Sequence, residues 1–271
     1  MNATTGSYVD VEHGSVAELF DVEEAAELQR GHLIRLAAGV SGGVVVRSYF
    51  SAAECIAIMS AVDNCEFDSY NEVVVPRIAK LGPTAFEFHT EQALDPRYWA
   101  AARSGRSTRA ALLRGKDPMQ PALDRVARAW GKPVRYATCG GRPLFGGLIR
   151  EINGGARMHF DELVREMPNT LDDIPIAQLA FNCHLSVPEA GGEMVVYRRR
   201  WRPADEHARD GYGYDPGLVA DEPRAEIRAA RGDAVLFDPR NYHLVRPATG
   251  RRVTLSFFLG VLADGALVAW S

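Results

Sequence analysis

A histidine and an aspartate separated by one residue, His159-Phe160-Asp161, offer an imidazole nitrogen and a carboxylate oxygen from the same face of an extended strand. Such a pair can hold one metal ion if a third ligand arrives from elsewhere in the chain. His243, just past the apolar run Asp233-Ala-Val-Leu-Phe237, carries the right group. Two neutral imidazoles and one carboxylate on one side of an ion leave the opposite positions open, the arrangement used by non-haem iron oxygenases.

A second chemistry-bearing stretch follows His243. In Gly250-Arg-Arg-Val-Thr-Leu-Ser-Phe-Phe-Leu259, strand alternation places Arg252, Thr254 and Ser256 on one face and Val253, Leu255 and Phe257 on the other. A guanidinium fork beside a hydroxyl, aimed into a barrel next to a metal, suits the far carboxylate of a dicarboxylic acid.

These residues resemble the Fe(II)/2-oxoglutarate-dependent dioxygenases, whose pattern is His-x-Asp, a distal His, and an Arg followed by x-Ser/Thr. Here they are His159, Asp161, His243, Arg252 and Thr254. Gly191-Gly192-Glu193 before a strand and Gly232 to Phe237 before the distal His fit the same family. The likeness covers Gly146 to Gly260 well and Gly43 to Val62 more loosely. His-x-Asp alone arises often by chance, whereas four elements in the right order do not. Within the superfamily the chain is similar to the freestanding small-molecule branch, which includes N-succinyl amino acid hydroxylases and carrier-independent aliphatic halogenases. Pro76 to Phe88 and the helical segment after it carry that narrower likeness. Halogenases of this branch have glycine or alanine at the carboxylate position, and the vacancy holds halide. Asp161 fills it here, so the resemblance implies hydroxylation or a related oxidation rather than chlorination.

The resemblance further implies Fe(II) on His159, Asp161 and His243. It implies 2-oxoglutarate chelating that iron with its distal carboxylate on Arg252, helped by Thr254, and O2 as the co-reactant. The expected outcome is decarboxylation of 2-oxoglutarate to succinate and hydroxylation of an unactivated C–H. The substrate expected is a small free metabolite: an amino acid derivative, a nucleotide or a natural-product intermediate. Desaturation, cyclisation, epimerisation and dealkylation use the same ligands and stay open. So do a non-catalytic cupin-like binding module, against which the complete ligand set counts, and a metal-dependent hydrolase or isomerase, which has no use for Arg252 and Thr254.

The fold implied is mainly β with flanking helices around a double-stranded β-helix, a cupin-like jelly-roll. Two facing sheets let His159 and His243 meet in one mouth. We expect one domain over residues 1–271, with N-terminal helices and supporting strands in 1–140 and the barrel in 141–262. Arg150, just before the Asn153-Gly-Gly turn, is a candidate cosubstrate contact, subject to a bulge that would change its face. Alternation along Gln178 to Ser186 puts Gln178, Asn182, His184 and Ser186 on one face; Asn182 is the leading polar pocket residue, and His184 lacks the carboxylate partner of a ligand.

Val73 to Phe88 reads as two short strands or a loop across the barrel mouth. Phe86 and Phe88 are candidate substrate contacts, with core packing as the equal alternative. A helix is expected over Ser15 to Ala38, and the capping box Ser51-Ala-Ala-Glu54 opens another through about Val62. Asp95 to Trp130 reads as helices divided at Gly105 and Gly115, with Arg103, Arg106, Arg109 and Arg114 on a solvated face or one of them reaching an acidic group of the substrate. Glu162 to Thr170 is either a lid or a passive loop. The stretch after Tyr197-Arg-Arg-Arg-Trp201, through Pro223, reads as a long surface insertion.

A net charge of −4 and a pI near 6 give no general affinity for nucleic acid. The four cysteines lack metal or redox spacing and read as reduced thiols of a cytoplasmic protein. No apolar run reaches the length of a membrane span, and the first residues do not read as a secretory leader. The partner expected is therefore a small molecule, with oligomeric state left open.

Overall fold

The computed structural model describes residues 19–90 and 93–271. Its centre is the antiparallel pair Ala177–Ser186 and Val253–Val261, in register from Ala177 opposite Val261 to His184 opposite Thr254, with a bulge before Ser186. The alternation read from sequence divides this pair into two faces. Leu179, Phe181, Cys183, Leu185, Leu255 and Phe257 turn outward into the main core, where Leu33, Leu36, Ile58, Val62, Leu123 and Val126 of the flanking helices cover them. Phe181 illustrates the packing: it stacks on Phe257 at 4.4 Å and meets Tyr49 edge-on at 5.1 Å. Burying a side chain of this size stabilises the fold by about 1.5–3 kcal/mol. Gln178, Asn182, His184, Thr254 and Ser256 turn the other way and are also buried, so the inner face is polar.

Among the described residues ten strands make up the larger sheet. Ala234–Phe237, Gly43–Val46 and Val22–Ala25 extend the central pair on one side, and Leu148–Glu151, Ala79–Leu81 and Asp68–Ser69 on the other. Leu267–Trp270 pairs with the end of Val253–Val261, and Val134–Tyr136 pairs with it in turn. The second sheet has four strands in the order Arg224–Ile227, Met194–Arg200, Asn241–Val245, Ala156–His159. Its inner residues Met194, Val196, Ala225 and Ile227 pack against Val45, Ala180, Val235 and Phe237 of the larger sheet. This is the double-stranded β-helix expected, with helices from the N-terminal half against one sheet. The larger sheet also takes in strands from outside residues 141–262.

Several local expectations differ from what forms. The helix expected over Ser15 to Ala38 is a strand, Val22–Ala25, and a shorter helix, Arg30–Ala37; Ser15 to Glu18 lie outside the described residues. Helical periodicity loses there because Gly43–Val46 presents an open edge, and Val22–Ala25 pairs with it in parallel. Arg47 and Ser41 then hold Glu24 and Glu23 of that strand. The division at Gly105 is also absent, since Arg97–Leu113 runs straight through it. A Cβ there would lie 2.8 Å from the Pro83 ring, so this glycine serves close packing and leaves the helix intact. The helix instead ends at Arg114 and Gly115, both left-handed at φ 46° and 79°. The capping box at Ser51 opens Ala52–Val62 as expected, with Ser51 Oγ accepting from Glu54 N. Among the described residues no helix is long and apolar enough to cross a membrane.

Candidate metal centre

The turn at Asn153, Gly154 and Gly155 carries the chain from the larger sheet, where Arg150 lies, into the smaller one, where His159 lies. Gly155 has φ +83°, and a Cβ there would meet Val245 O at 2.7 Å, so the crossing demands glycine. The next strand, Ala156–His159, then pairs with Asn241–Val245 so that His159 stands directly opposite His243. Their rings are 4.3 Å apart between centroids. Asp161, past the end of the strand, is pinned by its N–H to Pro239 O at 2.8 Å, and its Oδ2 lies 3.7 Å from His159 Nε2 and 3.5 Å from His243 Nε2. The three ligand atoms all fall within 4.8 Å of one another.

Backbone carbonyls set the tautomers. Nδ1 of His159 donates to Arg157 O at 2.7 Å, and Nδ1 of His243 donates to Asn241 O at 2.9 Å. Each imidazole is thereby left with its Nε2 lone pair turned toward Asp161, as a metal ligand requires. Burial, with the neighbouring His243 second, brings His159 down to about 4, so it is neutral at ordinary pH. Burial works against charge on Asp161, but His159 and His243 outweigh it and hold the carboxyl below its usual range. Two imidazole nitrogens around a carboxylate are a donor set for a divalent cation.

Arginines occupy the opposite wall. Arg150, Thr254 and His184 form one cross-strand row, with Arg252 at the end of the same strand as Thr254. Arg150 donates through one terminal nitrogen to Asn182 Oδ1 at 3.1 Å, and its Nε has no partner. Arg252 is only 3% exposed; its Nε donates to Gly192 O at 3.1 Å and its backbone N–H to Asn153 Oδ1 at 2.9 Å. Gly192 makes this approach possible, since at φ +76° a Cβ would stand 3.1 Å from Arg252 Cδ. Burial, with the charge of Arg150 second, lowers Arg252 to about 10. Among the described residues neither arginine is paired with a carboxylate. A buried guanidinium and a half-buried one that repel each other favour an anion between them. Thr254 donates to Ser256 Oγ at 3.0 Å, and Ser256 donates to Asn182 Oδ1 at 2.7 Å, which ties the hydroxyl row to the same place.

One cavity reaches both walls, although Arg252, Thr254 and His243 do not line it. Arg150, His159, Asp161, Asn182 and Ser256 line it, with Phe86, Met167 and Phe258 among its apolar walls. Of the two aromatics expected at the mouth, Phe86 lines the cavity and Phe88 does not. The Thr84-capped helix Ala85–Phe88 turns Phe88 away, edge-on to Tyr98 at 5.7 Å, in a separate apolar cluster. His184 is buried away from the three ligands, kept neutral by burial and then by the charge of Arg252. Arg106 and Arg109 are structural: the first donates to Pro143 O and Leu144 O, the second pairs with Asp117 at 2.6 Å, and none of the four helix arginines lines the cavity.

Two contributors were not legible as site residues. Tyr212 belongs to the insertion read as surface loop, yet its ring meets His159 edge-on at 5.5 Å, its hydroxyl accepts Arg157 N–H at 2.7 Å, and it lines the cavity. Glu166, in the short helix Leu163–Glu166 after Asp161, also lines it. The segment Glu162 to Thr170 is thus a wall of the site, with Leu163, Glu166 and Met167 turned inward.

The family described as carrier-protein-independent halogenase WelO5 matches residues 19–271. The L-gamma-glutamyl-L-propargylglycine hydroxylase of Streptantibioticus cattleyicolor is 43% identical over 258 residues, covering 93% of this chain and 96% of that protein. The leucinostatins biosynthesis cluster protein S of Purpureocillium lilacinum is 32% identical over 227 residues, 75% of this chain and 90% of its own. Among solved structures, an N-substituted L-amino acid dioxygenase from Burkholderia ambifaria in complex with alpha-KG shares the fold, with a TM-score of 0.51 at 14% identity over 81% of this chain and 91% of that one. Fold and relatives together define an enzyme of the Fe(II)/2-oxoglutarate oxygenase superfamily. Within it, the chain belongs to the carrier-protein-independent halogenase WelO5 family.

Proposed function

We propose that the protein is a hydroxylase that uses Fe(II), 2-oxoglutarate and O2 on an unactivated C–H of a small free amino acid derivative. One observation carries this reading: a His-Asp-His donor set faces, across one cavity, the half-buried Arg150, the buried Arg252 lies two residues before Thr254, the cross-strand partner of Arg150, and no carboxylate among the described residues pairs with either arginine. A metal accounts for the first half, and an anionic cosubstrate accounts for the second. His159, Asp161 and His243 hold the iron. Arg252 takes the distal carboxylate of 2-oxoglutarate, Thr254 and Arg150 support it, and Asn182 keeps Arg150 aimed. Bound together, iron and 2-oxoglutarate supply the oxidation, in which O2 and 2-oxoglutarate become CO2, succinate and the oxygen of a new hydroxyl. The chain's own work is to fix the two imidazole tautomers, to pre-orient the guanidinium groups, and to exclude water with Phe86, Met167 and Phe258.

Asp161 favours hydroxylation over halogenation, because its carboxylate fills the position that a halide would need. The 43% identical hydroxylase makes a γ-glutamyl amino acid the first substrate to try. The test is to incubate anaerobically purified protein with Fe(II), 2-oxoglutarate and air, then measure succinate with and without γ-glutamyl dipeptides and free amino acids. Succinate above background, lost in His243→Ala, is the expected result. Failure of metal-loaded protein to bind 2-oxoglutarate overturns the reading in favour of a binding module.

A further inference from the structure

Glu166 is the acid in the cavity that the proposed chemistry does not use. It ends the helix Leu163–Glu166, and its Oε2 accepts the Glu162 N–H at 2.9 Å. The basic side chains around it are committed elsewhere. Arg165 pairs with Glu162 at 2.7 Å and lies over the Trp201 ring, while Arg209 pairs with Glu206 at 2.7 Å. Among the described residues Glu166 has no ion pair, and it stands outside the group of three ligands that can share a metal. Burial, reinforced by the charge of Asp161, pushes its carboxyl up, which is the response of an acid without a counter-ion. Glu166 is half-buried at the cavity wall, where its carboxylate gains from any cation that enters and pairs with it. Asp161 belongs to the metal, so Glu166 is free to serve the substrate.

We propose that Glu166 accepts hydrogen bonds from a cationic nitrogen of the substrate, so that the enzyme selects compounds bearing a free ammonium group. The cavity is polarised accordingly: Arg150 provides for an anion on one wall, and Glu166 provides for a cation beside Asp161 on the other. A free amino acid or a dipeptide with an unblocked amino terminus meets that demand, and an N-acylated one does not. This inference rests on the oxygenase reading above, and the experiment separates the two.

Wild-type protein is loaded anaerobically with Fe(II) and 2-oxoglutarate, and its visible spectrum is titrated with L-amino acids and γ-glutamyl dipeptides, each in free-amine and N-acetyl form. The affinity for 2-oxoglutarate of the same preparation is measured first, and a failure there counts against the oxygenase reading alone. We expect binding by free-amine compounds, weakened roughly 10- to 100-fold by acetylation, the size of a charge-assisted hydrogen bond. Glu166→Gln can still accept the Glu162 N–H; it is expected to weaken free-amine binding by a similar factor, to leave the N-acetyl form unchanged, and to bind 2-oxoglutarate as wild type does. Equal affinity for free and acetylated forms, no binding by any amine, or unaltered amine binding in Glu166→Gln overturns the proposal. The acetylation comparison uses wild-type protein and stands even if the variant fails to fold.

Discussion

In the insertion between Trp201 and Pro223, opposite charges meet. Arg199 holds Asp205 at 2.6 Å, with Tyr242 Oη donating to the same carboxylate at 3.1 Å. Arg209 holds Glu206 at 2.7 Å, with Trp201 Nε1 and Tyr214 Oη donating to it at 2.7 and 2.8 Å, and Arg157 holds Asp210. The cavity that this insertion walls is built the other way. Arg150 and Glu166 line it without an ion pair among the described residues, and Asp161 faces two imidazoles that can share a metal with it. The difference teaches where to look for ligands. A self-neutralising network completes itself and serves as scaffold, whereas buried charges without partners are stable only when an ion or substrate joins them.

The strongest way to break that contrast is to remove the carboxylate from the group of three ligands. Asp161→Ala is expected to lower Fe(II) retention and hydroxylated product at least roughly 100-fold, more than the loss of an outer-shell partner produces. Iron content after gel filtration and product yield check it, and full product formation would remove Asp161 from the metal site. Next in size is Arg252→Gln. It leaves the anion site with one cation fewer, and we expect the 2-oxoglutarate dissociation constant to rise roughly 10- to 100-fold, the worth of one charge-assisted contact. A titration of the metal-loaded variant decides; an unchanged constant would hand the anchoring role to Arg150.

These charges were partly legible in the sequence, and the reason is geometric. Residues two apart on a strand share a face, so His159 with Asp161 and Arg252 with Thr254 announce themselves locally, and strand alternation also marked Asn182 and the buried outward face of Ala177–Ser186. What alternation cannot convey is which irregular segment folds back over the site. Tyr212 and Glu166 sit in a loop-rich insertion and a one-turn helix, where no period links position to facing. Phe88 is turned away for a related reason: it shares the four-residue helix Ala85–Phe88 with Phe86, and residues two apart on a helix face nearly opposite ways. Arg30–Ala37 was overextended because the open edge of Gly43–Val46, a long-range partner, outweighs local helical spacing.

Tyr212 tests whether the self-satisfied wall matters to the metal at all. Tyr212→Phe keeps the ring against His159 and removes the acceptor of the Arg157 N–H. The expected cost is about 1 kcal/mol, the net value of one hydrogen bond. It should appear as a fall of a few-fold in Fe(II) affinity with 2-oxoglutarate binding intact. A variant indistinguishable from wild type in both would make the wall mere cover.

The smallest effect gives the sharpest form of the comparison, because two glutamates on either side of the wall should answer pH with opposite sign. The Arg209 guanidinium, opposed by burial and helped by Tyr214 and Trp201, takes Glu206 from 4.5 down to about 2. A carboxyl depressed in the folded state adds stability that is present above its unfolded value and lost as pH falls from about 4.5 to about 2. Its side chain is 45% exposed, so solvent screening keeps the contribution below about 1 kcal/mol. Glu166 is shifted upward from 4.5, so its contribution is most favourable below 4.5 and is lost as pH rises through the folded value. Urea unfolding of iron-free wild type, Glu206→Gln and Glu166→Gln across this range separates them: the advantage of wild type over Glu206→Gln should shrink toward low pH, and its standing against Glu166→Gln should worsen toward neutral pH. Trends of the same sign would mean that Glu166 already has a cation from the chain, and the contrast between the paired wall and the unpaired cavity would fail at that residue.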